Sequence, residues 1–196
     1  MGEMRERMLR GELYLADDPE NEAEYGRIRE LLAKFNACAP QAWEERDGLL
    51  RRMLRHVGDD VVVRPPFTCE YGAVTIGNRT FINAGATLID VAPITVGAAC
   101  QIATGVQLVT AAHPIDPEPR RQGWEYGDPI TLADNVWLGA GVIVCPGVTI
   151  GQDTVVGAGA VVTRDLPPTV VAAGVPARVL RQIGEEDRVE IPGRPR

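Results

Sequence analysis

ITLADNVWLGAGVIVCPGVTIGQDTVVGAGAVVT, residues 130–163, repeats in sixes. Leu132, Leu138, Val144, Ile150, Val156 and Val162 form one row, each six residues after the last. Ile130, Val136, Val142 and Val148 form a second row at the same spacing, two residues earlier. An α-helix would return at three and four, and a lone strand at two. A sustained period of six marks a hexapeptide β-helix, where each six-residue face is a short strand and a turn. Three faces close a triangular coil of about 18 residues, and stacked coils bury a continuous apolar column. The β-branched rows suit a pleated, buried surface. Gly139, Gly151 and Gly157, each directly after a row member, suit corners where φ is positive or backbones come close.

Outward from this stretch the period continues. Ile76, Ile82 and Leu88 keep it, a two-residue slip falls near Pro93, and Val96, Ile102 and Leu108 resume it. It stops after Thr110. Residues 111–129, AAHPIDPEPRRQGWEYGDP, are polar and proline-rich with no periodic row. A regular solenoid does not need this insertion, and long loops on a rigid scaffold tend to carry function. Upstream, residues 1–16 form a short amphipathic opening. Asp18-Pro19 reads as an N-cap and first helical position. One helix is predicted over 20–36, with Ile28, Leu31, Leu32 and Phe35 inward, and a second over 41–56, with Leu49, Leu50, Met53 and Leu54 inward and Gly58 ending it. This helical subdomain, residues 1–58, would cap the open end of the solenoid, as terminal coils require, and it also has the option of lending residues to a pocket. The repeat domain spans 59–183. Pro167-Pro168 breaks the column, and Val170 to Ile183 reads as a last strand, a turn and a short helix. Residues 184–196 are charged, proline-bearing and expected to fray.

Charge and composition narrow the function. The net charge is −7, and no basic patch exists to track a nucleic-acid backbone. The opening MGEMRERMLR has no apolar core, and no window of 18 or more apolar residues occurs, so neither a secretion signal nor a membrane span is expected. Cys38, Cys69, Cys100 and Cys145 are widely spaced, with no C-x-x-C, and read as free thiols in a reducing cytoplasm.

Histidine is scarce, with His56 and His113 only. His56 would end a helix, where a cation meets the dipole favourably. His113 stands where the repeats break into the insertion. Imidazole, with an ordinary pKa of about 6.5, is the natural general base at neutral pH. A three-histidine metal site cannot be built from His113 alone and no cysteine pair substitutes, so no catalytic metal is expected.

GELYLADDPE (11–20), FTCEYG (67–72), FINAGATLIDVAPITVG (81–97), TAAHPIDP (110–117), PITLADNVWLGAGVIVCPGVTIG (129–151) and VVTRDLPPTVVAAGVPARVLRQI (161–183) together resemble the maltose and galactoside O-acetyltransferases, hexapeptide-repeat enzymes that use acetyl-CoA. The likeness covers about residues 5–183, and AAHPIDP followed by NVWLGAG is closer to the maltose branch. It implies a left-handed parallel β-helix and a homotrimer with active sites between subunits. His113 matches the family's catalytic base. Asn83 matches an asparagine beside it. Glu70, Asp17, Asp90 and Trp137 match or fall within a residue of sugar-site positions. Ala140, Ala158, Thr163, Arg164, Arg178 and Arg181, with Asn83, match coenzyme A positions. Two departures stand out: Arg164 replaces the usual lysine, and the segment between Gly72 and Gly77 is one residue short.

The implied chemistry is direct transfer of acetyl from acetyl-CoA to a sugar hydroxyl, the 6-hydroxyl of a glucose- or maltose-like acceptor. His113 would take the hydroxyl proton, a backbone N–H near Ala140 would hold the oxyanion, and the thiolate would leave unaided. A galactoside, another oligosaccharide or an amino sugar is the alternative acceptor. A noncatalytic trimeric scaffold that binds coenzyme A is the alternative of another class. Arg178 and Arg181, three apart on the predicted last helix, would share a face, gripping phosphates or lying solvated.

Overall fold

The computed structural model describes residues 2–190 and Pro192. The six-residue rows become three sheets of parallel strands around one apolar column. The first face stacks Phe67–Cys69, Ala86–Ile89, Gln107–Val109, Ile143–Val144 and Val161–Val162. The second stacks His56–Val57, Val74–Ile76, Ile94–Val96, Ile130–Leu132 and Thr149–Ile150. The third stacks Val62–Val63, Phe81–Ile82, Gln101–Ile102, Trp137–Leu138, Val155–Val156 and Val170–Ala173. Leu132, Leu138 and Val144 thus lie on successive faces, one per hexapeptide.

Register places like on like. Ile76, Val96, Leu132 and Ile150 pair in sequence up the second face, and Ile82, Ile102, Leu138 and Val156 up the third. None of the eight is more than 1% exposed. The slip near Pro93 is a longer corner: Ile76 pairs with Val96, a step two residues longer than that from Leu132 to Ile150. Two kinds of glycine make the corners. Gly141 has φ +68°, which side chains rarely tolerate. Gly139 has ordinary φ but lies under the next coil, and a Cβ there would come within 2.6 Å of the Ala158 nitrogen.

Three helices close one end: α1 (Glu3–Leu9), α2 (Pro19–Ala37) and α3 (Trp43–Met53). Asp18 caps α2, its Oδ1 accepting the Glu20 N–H at 2.9 Å, with Pro19 next. Ile28, Leu31 and Phe35 of α2 and Leu49, Leu50 and Met53 of α3 continue the apolar column. The helices also satisfy the unpaired edge of the first coil. Asn36 donates to the Phe67 carbonyl at 2.8 Å and accepts its N–H at 2.9 Å. Arg51 donates to the carbonyls of Val57 at 2.7 Å and Gly58 at 3.1 Å. These side chains stand where another strand would, blunting an exposed sheet edge.

Three sequence expectations are corrected. The second helix ends at Met53, because Leu54 is already extended, so His56 does not end a helix but lies exposed in the first strand of the second face, paired with Thr75. The final helix is a strand: Arg178–Gln182 folds back antiparallel on Val170–Ala173, with an irregularity at Val171/Ala172. Arg178 pairs with Ala173 and Arg181 with Val171, so the bulge, not helical spacing, puts the two arginines on one face. The expected frayed tail, residues 184–196, has its described start folded: Glu185–Asp187 is a 3-10 turn, with Asp187 held by Arg181 at 2.6 Å and 2.7 Å. Its last positions, 191 and 193–196, lie outside the described residues.

The insertion is ordered. Strand Ala111–Ala112, helix α4 (Pro117–Arg121) and strand Trp124–Gly127 form a flap, and Trp124–Gly127 pairs antiparallel with both Ala111–Ala112 and Tyr14–Leu15. The chain's opening and its insertion therefore share one three-stranded ribbon.

Leu138 is fully buried in the third row. Leu138→Ala is expected to lower stability by about 2–5 kcal/mol, read from the urea midpoint. A loss under about 1 kcal/mol would mean the column is not close-packed there.

Candidate active site

The ribbon sets the geometry. In antiparallel pairing, directly opposed residues project to the same side. Tyr14 opposes Glu125, while Ala111 opposes Gly127 and Ala112 opposes Tyr126, where the ladder ends one residue before His113. Tyr14 and Glu125 therefore project to one side of the ribbon, the side where Ala111, Ala16 and Glu125 line a cleft of about 420 Å³. Glu22, Tyr25, Glu70, Tyr71, Ile89 and Val91 complete its walls. His113 is exposed, and its Nδ1 lies 3.4 Å from the Trp124 carbonyl. A proton held on Nδ1 by that carbonyl leaves Nε2 free to accept one.

Asp90 builds the opposite wall. Its Oδ1 accepts the N–H groups of Glu70 at 2.6 Å and Tyr71 at 3.1 Å, and its Oδ2 that of Ala73 at 2.6 Å. It is 0% exposed. Asp90 is thus corrected from a sugar contact to a positioning residue: it fixes the turn that presents Glu70 and Tyr71, and its neighbour Val91 lines the cleft instead. Burial raises its pKa, against the lowering effect of those three N–H donors.

Glu70 reaches the cleft. Burial, then the nearby carboxyls of Asp90 and Glu125, push its pKa up to about 7. The Tyr71 hydroxyl is pushed up to about 12, first by burial and then by Glu70. Asp17 is exposed at the rim, while Ala16 beside it lines the wall.

The remaining expected residues lie elsewhere on the prism. Asn83, Ala140 and Ala158 occupy the corner between the third and first faces, a different edge from His113 and Glu70, which flank the corner between the first and second. Asn83 turns its Oδ1 onto the Ala84 N–H at 2.9 Å. Among the described residues, the N–H groups of Ala140 and Ala158 make no hydrogen bond, while the Ala140 carbonyl accepts from Gly159 at 2.8 Å. Thr163 and Arg164 are exposed at the His113 edge, one coil beyond Cys145. Trp137, 53% exposed, is on the third face in a shallow groove with Gln101, Asn135 and Thr169. Arg178 and Arg181 are exposed, and Arg181 is engaged by Asp187. The expected residues thus lie on two edges of the prism.

Sequence reading missed Tyr14, Tyr25, Tyr71 and Glu125. No local motif pairs position 14 with position 125, and the alternation in WEYG is too short to mark a strand. Among the described residues, no three His, Cys, Asp or Glu side chains converge as a metal site would need, all four cysteines are free, and no helix is long and apolar enough to cross a membrane.

A buried carboxyl whose folded pKa lies above its unfolded value contributes stability that is full below about pH 4.5 and lost as pH rises through 7. Glu70→Gln does not titrate. Its melting temperature should therefore exceed that of the wild type by a margin that grows from pH 4.5 to 7 and then levels. A margin independent of pH would show that Glu70 is not buried as described.

Residues 7–58 match the model of the maltose acetyltransferase hexapeptide capping motif, 73–109 that of the hexapeptide repeat of succinyl-transferase, and 129–164 that of the bacterial transferase hexapeptide with six repeats. The chain is 42% identical over 163 residues to the galactoside O-acetyltransferase of Escherichia coli, covering 83% of this chain and 80% of that one. It superimposes on the crystal structure of a maltose O-acetyltransferase from Clostridium difficile 630 with a TM-score of 0.91 and 40% identity, covering 93% and 98% of the two chains. A galactoside acetyltransferase in complex with coenzyme A also gives 0.91, at 38% identity over 95% and 94%. The capped column, the inserted flap and these likenesses agree, and the chain belongs to the hexapeptide-repeat acetyltransferases, in the family of the maltose and galactoside O-acetyltransferases.

Proposed function

We propose that the protein transfers acetyl from acetyl-CoA to a sugar hydroxyl, the 6-hydroxyl of a glucose-like ring, with His113 as general base. The observation that carries this reading is a cleft of sugar-sized volume lined by Glu22, Glu70, Glu125, Tyr25 and Tyr71, walled by the flap strand on whose Trp124 carbonyl His113 is held. Carboxylates accept from sugar hydroxyls, and tyrosine faces pack against sugar C–H surfaces. His113 Nε2 takes the hydroxyl proton as the oxygen bonds to the acetyl carbon. The C–S bond then breaks, and the thiolate, with an ordinary thiol pKa of about 8.5, leaves without an acid. No cysteine serves as nucleophile: burial pushes the thiols of Cys69 and Cys100 up, away from thiolate.

Coenzyme A fits the other edge. The unbonded N–H groups of Ala140 and Ala158 offer donors to an oxyanion or to the pantetheine amides, Arg178 and Arg181 supply cationic groups further along, and Thr163 and Arg164 stand at the His113 edge of the same chain. The two half-sites lie on different edges, so a complete site needs the Asn83–Ala140–Ala158 edge of a second copy beside His113. A cyclic homotrimer gives every copy one such junction. Four free thiols accord with a cytoplasmic location.

Thiol release with acetyl-CoA and glucose, maltose or galactosides tests the chemistry. His113→Ala is expected to lose at least about 100-fold in kcat with its coenzyme A affinity retained. Turnover equal to wild type would remove His113 from the mechanism, and coenzyme A binding with no turnover on any sugar would favour a scaffold. The shared site has its own test. Refolding His113→Ala together with Ala140→Asp should recover activity that neither variant has alone, whereas sites contained in one chain would give no recovery.

A further inference from the structure

The Tyr14 side chain is 0% exposed, and its hydroxyl has no hydrogen-bond partner. A hydroxyl sealed from water costs free energy until a protein group meets it. Glu125 is the residue directly opposite, so both side chains project to the same side of the ribbon. Glu125 is half-buried and lines the cleft, where no Lys or Arg stands beside it. Among the described residues it forms no ion pair and no hydrogen bond holds its side chain. Of the two phenols on which its charge acts, Tyr71 is half-buried and within reach of water, whereas Tyr14 is not.

The base under Tyr14 is fixed independently of the cleft. From α1, Arg7 donates to the Leu13 carbonyl at 2.5 Å, and the Leu15 N–H lies 3.4 Å from the Met4 Sδ. The Arg7 guanidinium also stands 5.8 Å from the ring centroid of Trp124, the flap residue next to Glu125. Tyr14 is thus carried by an anchored strand, while Glu125 is a free side chain at the wall. Tyr14 does not itself line the cleft, so its influence on a ligand there passes through Glu125.

We propose that Tyr14 is a positioning residue for the acceptor: its hydroxyl donates to one oxygen of Glu125 and so aims the other oxygen into the cleft. This role rests on the reading of the cleft as the acceptor site, whereas the bond itself does not. A rotation of the unheld Glu125 side chain closes it, and one contact then satisfies both the sealed hydroxyl and the uncompensated carboxylate. Burial, and after it Glu125, push the Tyr14 pKa up, so the phenol keeps the proton that it donates. A carboxylate aimed before the sugar arrives is not ordered at its expense, and the benefit falls on affinity rather than on the chemical step.

Kinetics of wild type, Tyr14→Phe, Glu125→Ala and the double variant, with the sugar that turns over, test the role. Tyr14→Phe is expected to raise the acceptor KM at least about 5-fold, with kcat and the acetyl-CoA KM within about 2-fold of wild type. In the Glu125→Ala background the same substitution is expected to change the acceptor KM by less than about 2-fold. An unchanged acceptor KM, an equal rise in both backgrounds, or a loss shared by kcat overturns the proposal. Urea unfolding of the same four proteins reads the bond without turnover. Once one partner is gone, removing the other should cost at least about 5-fold less in the unfolding constant, and independent costs overturn the bond. Coupling with no acetyl product from any sugar leaves the bond standing and removes the transfer reading. Should Tyr14→Phe fail to fold, a crystal structure of the wild type measures the bond directly: about 2.5–3.0 Å from the Tyr14 hydroxyl to a Glu125 oxygen is expected, and more than about 3.5 Å overturns it.

Discussion

Everything in this protein hangs on the inward row that repeats every six residues. A strand of two or three residues has almost no stability alone. It persists here because its one inward side chain lies on the equivalent side chain of the coil below and beneath that of the coil above. Ile102, Leu138 and Val156 form such a pile, each pair held by parallel backbone bonds. The column is quasi-one-dimensional, so its demands are the same at each level: an apolar residue inward, a turn at the corner, and little in the way.

A column has two ends and three edges, and these are where the chain departs from repetition. At one end, Asn36 and Arg51 bond to the first coil as a further strand would, and the apolar sides of α2 and α3 extend the core. At one edge the flap leaves the solenoid between Thr110 and Ile130 and is stitched to the N-terminal strand. The stitching converts a proline-rich insertion into a rigid wall. It also couples the capping segment to the cleft, since Ala16 comes from the opening and Ala111 and Glu125 from the flap.

The electrostatics of the cleft follow from that construction. Asp90 spends both oxygens on three backbone N–H groups, which fixes the turn holding Glu70 and Tyr71. Burial, and after it the neighbouring carboxyls of Asp90 and Glu125, push the Glu70 pKa up to about 7. Positioning and electrostatics are therefore linked: the group that orders the wall also contributes, after burial, to the raised pKa of Glu70.

The sequence by itself determined the solenoid, its six-residue faces, the slip near Pro93, the Asp18–Pro19 helix start and the insertion at 111–129. Each of these is a local pattern, set by inward side chains at fixed spacing or by a residue's own backbone preference. It also singled out His113, because one imidazole at a break in a repeat needs no partner to be noticed. Only the tertiary structure decided that Tyr14 stands opposite Glu125, because that pair joins strands 111 positions apart in the chain. It also decided that Asp90 faces backbone rather than cleft, that the last segment is a strand whose bulge aligns Arg178 with Arg181, and that the expected site residues divide between two edges. A one-residue difference at a corner turns a side chain from solvent to interior, and pairing between distant segments leaves no periodic trace. Those two facts separate what was legible in the chain from what had to be folded to be seen.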